Sequence, residues 1–123
     1  MFVLHVAYLW LPVGYGLTAL AAFGLILPAT AALHALTMGA IGNMILAVTS
    51  RVALAHTGRS LHAPWLIVIS YAILNAAVIA RVLSPLSPGL YLEMIDLSAL
   101  GWIVTFAIFT GVYLPVLTRP RVD

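Results

Sequence analysis

The sequence predicts an all-α integral membrane protein, with four transmembrane helices folded as two antiparallel hairpins in a single domain, residues 1–123. Three observations carry that prediction. Hydrophobic residues make up 64% of the chain and charged residues only 7%, against about a quarter charged in a soluble domain. The apolar residues collect into four runs, each near the ~20 residues that cross a bilayer as a helix. Between the runs stand proline, glycine and arginine, which end helices and keep to the water boundary. The runs are too long, and alternate too little, for barrel strands.

The first span is expected over residues 2–27. Pro12 inside it predicts a kink, and Gly14 and Gly16 nearby let another backbone approach. Pro28 and Ala29 end that helix, and Thr30 is placed to cap the second span, 31–55. Residues 57–64, TGRSLHAP, form a turn, with Pro64 suited to start the third span, 64–83. The SPLSPG stretch at 84–89 breaks that helix, and the fourth span covers 95–117. No motif recurs, so no internal repeat is expected. The start lacks the basic region of a signal peptide, and the first segment reads as a retained span.

An even number of spans places both termini on one side. That side carries Arg51, Arg59, Arg119 and Arg121, and the other carries Arg81 with Glu93 and Asp96. The imbalance predicts termini in the cytoplasm. Trp10, Trp65, Trp102, Tyr91 and Tyr113 are candidates for interface anchors or packing. The absence of cysteine excludes disulfides, thiolate metal sites and thiol catalysis. A net charge of +2 is too small and dispersed for nucleic-acid binding. The expected partners are therefore the lipid bilayer and either a second copy or another membrane subunit.

Antiparallel pairing about a midpoint near Ala29 sets His5 beside Val52 and Ala53, within reach of Arg51 and His56. His34 falls at the opposite end, about 25 Å from Arg51 along the helix axis. Two polar clusters follow: His5, Arg51, His56, Arg59 and His62 at one end, and His34 with Arg81, Glu93 and Asp96 at the other. In the second hairpin Arg81 falls level with Asp96, suggesting an ion pair, and Asn75 level with Gly101, suggesting an interhelical hydrogen bond. Ala35, Gly39, Asn43, Ala47 and Ser50 form a small, polar stripe, read first as a packing seam and second as a cofactor slot. Each histidine can ligate a metal or satisfy a neighbouring carbonyl; His34 with Met38 one turn on is a candidate soft-metal pair, with Met38 read first as apolar filler.

Several motifs in order resemble the NnrS family: HALTMGAIG at 34–42, MILAV at 44–48, Arg51, then HTGR at 56–59. LHVAYLWLP at 4–12, RVL at 81–83 and YLPVLTRPRVD at 113–123 resemble the flanking parts of that family. The resemblance implies a polytopic bacterial inner-membrane protein of nitric oxide and denitrification metabolism, associated with haem and copper. His34, His5 and His56 match the motif histidines and are the implied metal ligands. Arg51 and Arg59 match the motif arginines and are the implied partners of haem propionates. Typical members are longer, and this chain resembles their C-terminal helices. A site needing both halves would be completed by a second copy or a partner subunit. Ala55, Asn43 and the Thr49–Ser50 pair depart from the usual residues.

Two functions follow. The first is a haem-binding protein that binds or turns over a small gas such as nitric oxide. The second is an accessory four-helix subunit that packs against a larger membrane complex without a cofactor. A transporter or channel is weaker, since nothing resembles a selectivity loop.

Overall fold

The computed structural model describes residues 2–25 and 27–122, with Phe2 described by its backbone. Ile26 of the expected first span, and Asp123 of the C-terminal motif, lie outside the described residues. Four helices are long and apolar enough to cross a membrane: α1 (Phe2–Ala22), α2 (Ala29–His56), α3 (Trp65–Leu83) and α4 (Tyr91–Thr118). Helices α1 and α2 pack along one another, as do α3 and α4. The apolar outer faces are exposed, as side chains that meet lipid would be.

Glycine, more than proline, sets the first two turns. Helix α1 ends at a Schellman motif: the Leu25 amide bonds the Leu20 carbonyl at 3.0 Å and the Gly24 amide that of Ala21 at 3.0 Å. Gly24 takes φ +70°, where a Cβ would be strained. The first helix therefore stops before Pro28. Pro28 itself is the N-cap of α2, and no side chain caps the amides there. Thr30 lies inside the helix. Helix α2 ends the same way. The Arg59 amide bonds the Leu54 carbonyl at 3.0 Å and Gly58 adopts φ +71°.

The third connection is built of two short 3-10 turns, Ser84–Leu86 and Pro88–Leu90, so α4 starts at Tyr91 instead of Ile95. Among the described residues, no ion pair joins Arg81 to Asp96. Asp96 is exposed and Arg81 half-buried. Arg81 lies in the last turn of α3 and Glu93 in the first turn of α4, where each charge complements its own helix dipole. The register estimate for this hairpin holds in its packing. A Cβ on Gly101 would meet Ala77 Cβ at 2.9 Å and Ile73 Cγ2 at 3.6 Å, so α4 rests on α3 around the level of Asn75. Thr105 donates to the Ser70 carbonyl at 3.3 Å further along the same seam.

Residues Ala35–Gly42 of α2 are π-helical, a register that is rare and concentrated at functional positions. The stripe noted in the sequence faces inward here. Ala35, Gly39, Asn43 and Ser50 are buried and Ala47 half-buried. Tryptophans lie on its glycines: a Cβ on Gly39 would stand 2.6 Å from the Trp10 ring, and one on Gly42 would stand 3.0 Å from that of Trp102. Trp10 and Trp102 are thus packing residues, whereas Trp65 is 69% exposed at the start of α3, an interface position.

A hydrogen-bond chain crosses this centre. Trp10 Nε1 donates to Asn75 Oδ1 at 2.8 Å. Asn75 Nδ2 donates to Asn43 Oδ1 at 2.9 Å and to the Tyr71 carbonyl at 2.8 Å. Asn43 Nδ2 donates to the Gly39 carbonyl, inside the π segment, at 2.8 Å. Three helices are joined by two amide side chains. Asn75 meets Trp10 and Asn43, on the side away from the expected Gly101.

Replacing Asn75→Leu strands the Trp10 and Asn43 polar atoms. It should lower stability by about 1–2 kcal/mol, read as denaturant-dependent loss of helical circular dichroism in detergent. Gly39→Ala should cost about 1–3 kcal/mol through the Trp10 clash. Gly16→Ala, whose new methyl meets nothing within 4 Å, should leave the thermal midpoint unchanged or slightly raised.

Candidate functional site

The candidate ligands divide between the two ends of the bundle. At the α1–α2 turn, His34 is half-buried on α2, directly before the π segment. Its Nδ1 is 2.6 Å from the Thr30 carbonyl one turn earlier. A carbonyl accepts only, so Nδ1 carries a proton, and in the neutral imidazole Nε2 is the nitrogen with the free lone pair. This is the arrangement that orients metal-binding imidazoles. Met38, the suggested soft partner, packs against the hydrophobic core, which is the usual role of a methionine in an apolar helix.

The other end gathers the start of α1, the end of α2, the loop after it and the end of α4. Val3 and Leu4 line a cavity of about 270 Å³ together with Ala47, Ser50, Arg51 and Leu54, so the two ends meet as antiparallel pairing requires. Leu61, Ala63, Tyr71 and Tyr113 complete its wall. His5 and His56 are exposed, as is His62. Among the described residues, no group of three or more histidines and carboxylates could hold a metal ion. His5, His34 and His56 do not converge within one chain.

Within HTGR, the glycine and arginine have structural work that the sequence reading did not assign. Gly58 is the left-handed residue of the α2 terminus, and the segment after α4 presses against it. Val122 donates its amide to the Thr57 carbonyl at 3.0 Å, and a Cβ on Gly58 would collide with the Val122 carbonyl oxygen. Thr57 Oγ1 closes the helix by donating to the Ala53 carbonyl at 2.7 Å. Arg59 Nη1 donates to the Val116 carbonyl at 3.3 Å. That carbonyl is among the last four of α4, which lack helical partners and carry the negative end of the dipole. Arg59 therefore caps α4. The Gly signal for the helix end was present in the sequence. The partner of Arg59, 57 residues away, was not.

The sequence model of the NnrS protein family matches residues 1–121. The chain belongs to the NnrS family. Membership makes it an NnrS-like membrane protein linked to nitric oxide metabolism. No curated protein matches the chain, and no solved structure does. The family motifs map onto definite parts of the fold: HALTMGAIG runs from His34 through the π segment, and HTGR forms the α2 terminus.

Gly58→Ala should be among the most damaging small substitutions here, since it meets both an unfavourable φ and a backbone oxygen. A loss above about 1 kcal/mol and faster proteolysis near the C-terminus are expected. Equal protease resistance in the variant would refute this account of the loop.

Proposed function

We propose that this NnrS-family chain is a bacterial inner-membrane protein, with both termini cytoplasmic, that handles nitric oxide through a haem held by His34. The observation that carries the reading is the His34 imidazole itself. Its Nδ1 is committed to the Thr30 carbonyl at 2.6 Å, so Nε2 is the nitrogen left to bind a metal, at the edge of the apolar bundle. One such imidazole suffices as the proximal ligand of a haem. A haem held there would supply an iron able to bind a small gas such as nitric oxide. The surrounding apolar helices exclude ions and leave neutral gases free to enter. Copper takes several protein donors. For it, His34, His5 or His56 would need ligands from a second copy or a partner subunit.

Arg51 lies roughly 25 Å from His34 along α2, and Arg59 lies beyond the end of that helix, both farther than one haem reaches. In this reading they do not hold the propionates of a haem on His34. Arg59 caps α4 and Arg51 lines the cavity at the other end.

A second reading, an accessory subunit of a larger membrane complex, is favoured by Gly16 on α1 and Gly111 on α4. Both have open space where a side chain would stand, so another helix can approach closely there.

The test is an oxidised-minus-reduced visible spectrum of the detergent-purified protein, with metal analysis of the same sample. Stoichiometric haem that shifts on nitric oxide addition is expected. His34→Ala should lower haem content by at least about tenfold with the helical circular dichroism intact, while His5→Ala and His56→Ala retain it. Haem content unmoved by all three substitutions would sink the His34 assignment. A colourless, metal-free protein that co-purifies with a larger complex would support the second reading.

A further inference from the structure

Helix α1 buries few of its residues in the bundle, while α2 buries about half. Its outer face is not simply apolar. Tyr8, Pro12 and Tyr15 are exposed at i, i+4 and i+7 spacing, so they share one side of the helix. Gly16, next to Tyr15, has open space where a side chain would stand. Tyr15 is 66% exposed, and its hydroxyl has no partner among the described residues. Thr18, exposed on the same helix, instead satisfies its hydroxyl at the Gly14 carbonyl, 2.8 Å away.

Depth makes the Tyr15 phenol costly. The span runs from Val3 to Ala22, which sets Tyr15 about 10 Å inside its nearer end. Helix side chains lean toward the N-terminus, which for Tyr15 is toward the bilayer centre. A tyrosine near the end of a span reaches the water boundary with its hydroxyl. Tyr15 is too deep and leans the wrong way. An O–H left there without an acceptor is unfavourable. The same face carries an unused acceptor. Pro12 has no amide to give the Tyr8 carbonyl one turn earlier, so that oxygen lacks its helical donor. Tyr8 and Tyr15 are about two turns apart, and the lean of Tyr15 carries its hydroxyl toward the level of that carbonyl.

A face with one unused donor and one unused acceptor is complementary to itself. Copies of one chain cross the membrane in the same direction, so α1 of two copies run parallel with identical residues at identical depth. A two-fold axis along the membrane normal sets each donor against the other copy's acceptor. We propose that this chain pairs with a second copy through α1. The Tyr15 hydroxyl of each copy donates to the Tyr8 carbonyl of the other, and Gly16 lets the two backbones approach. A lipid tail offers no acceptor, and a partner of another kind would have to bring both groups at the right depths. The pairing rests on neither functional reading and does not involve His34.

The experiment uses the full chain in mild detergent, followed by sedimentation equilibrium over a range of protein-to-detergent ratios. A monomer–dimer equilibrium is expected. Tyr15→Phe keeps the ring and removes the hydroxyl, and Pro12→Ala returns an amide to the Tyr8 carbonyl. Each should weaken dimerisation about five- to tenfold. Pro12→Ala should do so while raising the thermal midpoint of the dilute monomer. Gly16→Leu should abolish the dimer with the helical circular dichroism intact. Tyr8→Phe, which leaves the carbonyl in place, should have no effect. The chain has no cysteine, so a single introduced one reports its own neighbour. Ala19→Cys, one turn beyond Tyr15 on α1, should cross-link to itself in lipid vesicles, and Ala107→Cys, exposed on α4, should not.

A monomer at every concentration would overturn the proposal. So would dimerisation unmoved by both Tyr15→Phe and Pro12→Ala, or cross-linking through position 107 in place of 19. Shielding of position 19 from thiol reagents by a different co-purifying membrane protein would assign the face to that partner and reject the second copy.

Discussion

The amide pair Asn43–Asn75 and the Trp10 indole that joins it hold the centre of this molecule together. In an apolar bundle surrounded by lipid, helix faces gain little from burying one hydrocarbon surface against another. Association then rests on close packing and on hydrogen bonds between helices. Here one amide pair ties α2 to α3, and the indole ties α1 to both. Each contact is modest, about 0.6 kcal/mol on average in membrane proteins. The alternative is two amides and an indole N–H unsatisfied in hydrocarbon, which is far worse. The interaction therefore fixes how each helix is rotated about its own axis more than how tightly the helices adhere.

Much of the remaining geometry follows from that constraint. Asn43 reaches back to the Gly39 carbonyl and satisfies an acceptor in the π segment, where the hydrogen-bond register is displaced from α-helical. Gly39 must lack a side chain because Trp10, placed by its bond to Asn75, lies across it. A cavity lined by Val3 and Val6 of α1 and by Val68 and Ala72 of α3 reaches Asn75, which the same indole bonds. Away from the centre the helices are held by their ends. Two Schellman turns with left-handed glycines close α1 and α2, and Arg59 and Val122 fasten α4 to the second of these turns.

The polar residues thus serve two separate ends. His34 stands at one, with its tautomer set by a backbone carbonyl. Arg51 and Arg59 stand at the other, with His5 and His56 on the outside. One helix length separates them, so the two ends do not share atoms. Of the two arginines, Arg59 is a helix cap and Arg51 a cavity residue.

The number of helices, their apolar lengths and most of their breaks were legible in the sequence. Hydrophobic length and the chemistry of glycine and proline act over a few residues, without reference to the rest of the chain. The depths of His5, His34 and Asn75 were legible too, because a short turn fixes antiparallel register. The partners of those residues were not. Asn75 meets Asn43 and Trp10 and not Gly101, Arg59 meets Val116, and Arg81 and Asp96 stay apart. Partner choice depends on rotation about each helix axis, on where α4 begins, and on a π register that no 3.6-residue periodicity reveals. The sequence by itself determined which segments are long and apolar enough to cross a membrane. Only the tertiary structure decided which polar groups face one another, because helix rotation is set by packing between segments distant in the chain.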